Sequence, residues 1–194
     1  MYNIDRYKSI IKERLSEYRF YHSLCVAESA KALAERYGAD VQKAEVAGIL
    51  HDICKEASKA EQLEIIEKAG MTITDFEKSK KKFYHQISGA AYAKAVLGIE
   101  DEEILGAIRY HTTGRADMTL LEEIVYLADF ISADRDYDDI DNIRAEAEKG
   151  KEQGMLYAAK YTIVSNIKKN SMLHPDTVNA YNWILNTYFK DSKK

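Results

Sequence analysis

Proline is almost missing from this chain: Pro175 is the only one among 194 residues, and glycine occurs just 9 times. The frequent turns of a β-sandwich or barrel draw on both residues, so those architectures are disfavoured. Cysteine is equally scarce. Cys25 and Cys54 are too few for a disulfide framework and have no C-x-x-C spacing, so reduced thiols in a cytoplasmic protein are expected. No stretch approaches the roughly 18 consecutive apolar residues of a membrane span, and Met1-Tyr-Asn-Ile-Asp-Arg6 lacks the apolar core of a signal peptide. An excess of positive charge is missing as well. The 28 Lys+Arg against 32 Asp+Glu leave a net −4, with the acids dispersed, whereas a general nucleic-acid binder would carry a basic domain.

What is present fits one soluble domain, for which 46% hydrophobic and 31% charged residues are ordinary values. Apolar residues recur at three- and four-residue steps nearly throughout, and no clean period-two alternation interrupts them. Helices are predicted over 4–18 behind an Asn3 or Asp5 cap, over 23–37 up to Gly38, and from Asp40 through the apolar run to Leu50. Ser58-x-x-Glu61 and Thr119-x-x-Glu122 read as capping boxes, and Asp101 as a third N-cap. The stretch 72–84 suggests a short helix plus loop, and 88–96 is Ala-rich enough for close helix contact. Helices over 140–149, 153–169 and 176–189 complete an all-α domain, with Pro175 where proline suits a helix entry. Lys78-Ser-Lys-Lys-Lys82 is the densest run of like charge: a solvated face, with phosphate steering as the alternative.

Chemistry is written in the histidines. His51 and Asp52 follow the apolar run Val46-Ala-Gly-Ile-Leu50 directly, and Asp129 stands in a second apolar stripe after Val125-Tyr-Leu-Ala128. Buried carboxylates need a positive partner, which makes these positions candidates for a metal site as well as for caps or salt bridges. With His22, His85 and His111 they form the order H…HD…H…H…D. Imidazole and carboxylate sets of this kind suit iron, manganese, zinc or cobalt. Four such ligands would hold one ion and six could hold two, the arrangement used in phosphoryl transfer. Cys54 reads as a core thiol rather than a ligand. Arg19, Lys55, Arg135 and Arg115 are candidate cations for phosphoryl oxygens, and the Thr112-Thr-Gly114 corner offers hydroxyls and backbone N–H groups to phosphate.

These residues resemble the HD-domain superfamily of metal-dependent phosphohydrolases, an all-helical family with a His…His-Asp…Asp site. The match is His22, His51-Asp52 and Asp129. Within it the chain is similar to the YqeK-type symmetrical bis(5′-nucleosyl)-tetraphosphatases, through Arg19-Phe-Tyr-His22, Ala47-Gly-Ile-Leu-His-Asp-Ile-Cys-Lys55 and Tyr84-His85 with Ser88-Gly-Ala90. Further on come Ile108-Arg-Tyr-His-Thr-Thr-Gly114, Met118-Thr-Leu120, Ala128-Asp-Phe-Ile131 with Arg135, His174-Pro-Asp-Thr177 and Tyr181-Asn182. One departure stands out. Ser132-Ala133 replaces the Glu-Pro of the family pattern, so an acidic side chain there has no counterpart.

The resemblance implies a single HD domain over 1–194, with the motif-bearing core at about 19–135 and helices at about 140–190 completing the bundle and a nucleotide pocket. It implies symmetrical hydrolysis of diadenosine tetraphosphate to two ADP, a metal-activated water attacking a central phosphate. Iron is the implied metal, one or two ions per chain, held by His22, His51, Asp52 and Asp129. His85 and His111 then either complete a second metal site or contact phosphate, as part of the catalytic set with Asp52 and Lys55. Substrate contacts are implied for Arg19, Lys55, His85, His111, Thr112, Gly114, Arg135, Pro175, Thr177, Tyr181 and Asn182. A dinucleoside polyphosphate substrate and an ADP- or GDP-like product are the implied partners, and the apolar helix 4–18 could serve a homodimer. The alternatives are another HD phosphohydrolase acting on a nucleoside monophosphate, cyclic dinucleotide or alarmone, and a non-catalytic nucleotide-binding protein.

Overall fold

Side-chain oxygens of Asn3, Ser16, Asp40, Ser58, Thr74, Asp101 and Thr119 each accept a backbone N–H from the turn that follows, so most helix starts are fixed locally. The computed structural model describes residues 2–190. The helices are α1 (Ile4–Arg14), α2 (Glu17–Tyr37), α3 (Val41–Leu50), α4 (Lys59–Lys68) and α5 (Asp75–Lys78). A 3₁₀ turn over Lys81–Phe83 leads into α6 (Tyr84–Ala95), α7 (Glu102–Tyr110) and α8 (Leu120–Ile131). The series ends with α9 (Ile140–Lys149), α10 (Lys151–Lys168) and α11 (Pro175–Tyr188), and no strand occurs among the described residues. None of these helices is long and apolar enough to cross a membrane.

One boundary differs from the sequence reading. The helix predicted over 4–18 stops at Arg14, and α2 begins at Glu17 because Ser16 takes up the Arg19 N–H. Arg19 and His22 therefore share one helix. The capping-box reading of Ser58 is half realised: its hydroxyl accepts from Glu61 N, without a reciprocal bond. Around 72–84 the structure has both parts of the expected helix plus loop, with a full capping box at Thr74 and Glu77.

Helix α3 is the centre of the core. Val46 through Leu50 are all buried, and α1, α2, α7 and α8 pack around them. Gly48 permits the closest approach: a Cβ there would sit 2.7 Å from the Ala27 Cα of α2. Tyr7 and Ile11 of α1 and Leu15 just after it are buried within this same core. The apolar face offered for a dimer is thus used inside the chain. Helix α8 carries the packing outward to α9 and α10, and α10 to α11. The result brings the C-terminal ends of α3, α7 and α8 to the N-terminal turns of α2 and α6. Three helix C-termini favour a cation placed among them.

Candidate metal centre

Five elements deliver six candidate ligands to this meeting point. His51 caps the end of α3 with Asp52 directly after it, His111 caps the end of α7, and Asp129 lies in the last turn of α8. His22 comes from the start of α2 and His85 from the first turn of α6. The same local device aims three of the imidazoles. His51 Nδ1–H donates to Gly48 O at 2.7 Å, His111 Nδ1–H to Ile108 O at 2.7 Å, and His85 Nδ1–H to Lys82 O at 2.8 Å. His22 Nδ1–H instead donates to Asp134 Oδ2 at 2.8 Å. With Nδ1 committed as donor, Nε2 is the lone-pair nitrogen of each neutral ring, and all four point inward.

The inward atoms crowd together. His22 Nε2 lies 3.3 Å from His51 Nε2 and 3.1 Å from Asp129 Oδ1, while His85 and His111 Nε2 are 3.2 Å apart. Asp52 Oδ1 is buried with no hydrogen bond of its own, although Lys55 Nζ at 3.2 Å and His85 and His111 Nε2 at 3.5 Å surround it. Two sets of ligand atoms come within reach of a common ion: His22, His51 and Asp129, and His51, Asp52 and His111. They share His51. An unsatisfied buried carboxylate oxygen facing converging lone pairs is the donor set of a metal site.

Burial and neighbouring charge set the protonation of His51, His85, Asp52 and Asp129 in the forms that bind metal. Burial pushes the His51 pKa down to about 4, and burial with the Lys55 charge holds His85 well below the usual histidine range. Burial opposes ionisation of Asp52, yet His51 and Lys55 outweigh it and keep its pKa well below the carboxylate range. Asp129 behaves alike, with burial overcome by Arg135 and His22. For His22, burial lowers and the Asp129 hydrogen bond raises the pKa, with the rise prevailing. Neutral rings and ionised carboxylates are the forms that ligate.

Cations frame the cluster. Arg19 pairs with Asp52 at 3.3 Å, Arg135 with Asp129, and Lys55 Nζ donates to His85 Nε2 at 2.9 Å. Thr112 Oγ1 lies 3.1 Å from the same His85 nitrogen. Beside it opens a cavity of about 540 Å³ lined by Lys55, His85, Thr112, Thr113, His174 and Thr177, with Lys81, Lys82, Phe83, Thr162, Asn166 and Met172 further round.

Several residues expected at the substrate stand outside this cavity. Gly114 turns the chain against Ala180 and Tyr126, and its neighbour Thr113 lines the cavity instead. Arg115 is held 2.9 Å from Glu122 at the start of α8. Pro175 faces a separate recess behind His174, with Glu77 and Arg109. Tyr181 packs on the core and Asn182 is exposed, and neither lines the cavity. Cys54 is a buried thiol with its pKa raised to about 11 by burial; its Sγ donates to Ser88 O at 3.4 Å and belongs to neither set of ligand atoms. Sequence reasoning missed Asp134, which Ser132 Oγ holds by a 2.7 Å hydrogen bond. Arg144 pins the same corner through Ser132 O at 2.6 Å. Asp134 lies two residues after Ser132, immediately before Arg135.

A model of the HD domain matches residues 19–134, which contains every ligand candidate. The chain belongs to the HD domain family. This HD protein is 40% identical over 175 residues to the symmetrical bis(5′-nucleosyl)-tetraphosphatase of Bacillus subtilis (strain 168), covering 90% of this chain and 94% of that one. A protein of the same name from Halalkalibacterium halodurans is 39% identical, over 91% and 94% of the two chains. Among solved structures it is similar to a predicted HD superfamily hydrolase involved in NAD metabolism from Clostridium acetobutylicum, with a TM-score of 0.91 and 35% identity. That match covers 96% of this HD protein and 98% of the other chain.

Proposed function

We propose that this HD protein is a symmetrical bis(5′-nucleosyl)-tetraphosphatase, a hydrolase that splits diadenosine tetraphosphate into two ADP. The observation that carries it is the convergence of four imidazoles and two carboxylates beside a cationic cavity, on a chain 40% identical to a protein of that name. HD proteins bind divalent metal, and the donor set here fits one. Four nitrogen donors with two carboxylates favour a borderline transition metal over magnesium or calcium, and in this reading it is iron, the metal the family resemblance implies. His51 offers one lone pair and so would serve one ion, and a second ion would draw on Asp52 with His85 and His111. Bound metal supplies Lewis-acid stabilisation of phosphoryl oxygens and a nucleophile from water at neutral pH.

The chain's own residues supply the rest. Arg19 and Arg135 lie on the Asp52 and Asp129 sides of the centre, and Lys55 and Thr112 on the cavity side. Their N–H and O–H groups meet oxygens whose negative charge grows as the bridging bond breaks. ADP leaves as a stable anion, so the leaving side needs cations more than a proton, and Lys55 stands there. Asp134 keeps His22 oriented, and the cavity admits one nucleoside diphosphate half, within the usual 300–1,000 Å³ of ligand sites.

A substrate panel with metal-loaded protein tests this reading. Diadenosine tetraphosphate is turned over, whereas nucleoside monophosphates, cyclic dinucleotides and alarmones are not. Faster turnover of any of these three would overturn it, and nucleotide binding without turnover would mark a non-catalytic binder.

A further inference from the structure

The cavity beside the centre holds more positive charge than its surroundings balance. Lys81 and Lys82 line it, and Lys82 Nζ donates to Asn166 Oδ1 at 3.3 Å. Burial, then the charges of Lys80 and Lys169, push the Lys82 pKa down. Among the described residues, none of these four lysines has a carboxylate in ion-pair range. Their neighbours differ: Lys55 is paired with Asp52 at 3.2 Å and Lys78 with Asp75 at 3.0 Å. Like charges gathered without a counter-ion are unfavourable until an anion joins them. In a chain of net charge −4 the local excess is not a by-product of composition.

The backbone that carries the lysines is also held in place. Glu77, 1% exposed, accepts from Thr74 N at 2.9 Å and Thr74 Oγ1 at 2.8 Å, and is paired with Arg109 of α7. His174 Nε2 stands 3.5 Å from the same carboxylate, its ring packed edge-on against Phe76 and Phe83. Tyr84 Oη donates to Lys78 O at 2.9 Å, and the Lys82 carbonyl is the acceptor that orients His85. One backbone segment thus connects an anion-seeking surface to a ring of the metal centre.

We propose that Lys81 and Lys82, with Asn166 beside them, form a subsite for the α-phosphate of the nucleoside diphosphate half in this cavity. The inference rests on the proposed function in taking that half as the ligand. Lys55, His85 and Thr112 occupy the centre, where the phosphate under attack lies, and Lys82 stands one step further out. A substrate anchored there by its α-phosphate presents the bond beyond its β-phosphate to the centre. The subsite therefore sets the symmetrical register of the cut.

The test is titration of ADP, adenosine and pyrophosphate into wild type, Lys82→Ala, Lys81→Ala/Lys82→Ala and the exposed control Lys78→Ala, alongside steady-state kinetics. Loss of charge-assisted hydrogen bonds should weaken ADP about tenfold in Lys82→Ala, more in the double variant, and leave adenosine unchanged. KM for diadenosine tetraphosphate should rise with kcat nearly constant, and ATP and AMP should appear among the double variant's products. Unchanged ADP affinity and KM would overturn the subsite, as would an equal loss in Lys78→Ala. Pyrophosphate binding as tightly as ADP would overturn its assignment to a nucleotide. Lys82-dependent ADP binding by a wild type that does not split diadenosine tetraphosphate would sink the proposed function and leave the subsite standing.

Discussion

Asp134 makes two contacts that matter, accepting from Ser132 Oγ and from His22 Nδ1–H. Removing a carboxylate that orients a ligating imidazole usually costs 10- to 100-fold in metal affinity. Asp134→Ala should therefore lower metal occupancy at fixed free metal by about that factor, and Asp134→Asn, whose amide oxygen still accepts, should retain part of it. Equal occupancy in all three proteins would remove the positioning role. At this scale His51-Asp52 and Asp129 were legible because they follow or interrupt apolar helical runs, and His22, His85 and His111 only through their order with these. Asp134 was not, because its value lies in reaching α2 from a corner 112 residues away. Gly114, Pro175, Tyr181 and Asn182 lie near functional residues in sequence, but none of them lines the cavity beside the centre.

Between elements, close approach and buried charge decide the geometry. Gly48→Ala would drive a Cβ into α2 at Ala27, close to both His22 and His51. Overpacking of this kind costs about 1–3 kcal/mol, and here it should also reduce metal occupancy, because it separates two ligand-bearing helices. Wild-type Tm and occupancy in Gly48→Ala would contradict that. Glu77 ties α5 to α7 and to the entry of α11, and its pKa is lowered to about 2 by hydrogen bonds and the Arg109 charge, which overcome burial. Its unfolded value is 4.5, so the stability it contributes is complete above pH 4.5 and is lost as pH falls towards 2. Wild type should melt above Glu77→Gln at pH 6, with the gap closing over that acid window. A gap independent of pH would show that shape, not charge, is what Glu77 provides. Helix caps were readable in the sequence, but the break at Ser16 was not, since the apolar period runs through it unbroken.

Across the whole molecule, one end of the bundle gathers α2, α3, α6, α7 and α8, and the metal centre is their common contact. A ligand that binds only the folded chain stabilises it by about 2.7 kcal/mol at one hundred times its Kd. Chelation should accordingly lower Tm by about 5–10 °C for a domain of this size, and Asp52→Ala should abolish the difference. The all-α architecture followed from scarce proline and unbroken helical periodicity. The cationic cavity did not: the lysine run at 78–82 is solvent-exposed as read, and only the fold sets Lys81 and Lys82 opposite Thr162 and Asn166 of α10 and Thr177 of α11. The most direct test of the account is product analysis of diadenosine tetraphosphate hydrolysed by the metal-loaded protein. ADP as the sole nucleotide product is predicted, and equal amounts of ATP and AMP would contradict it.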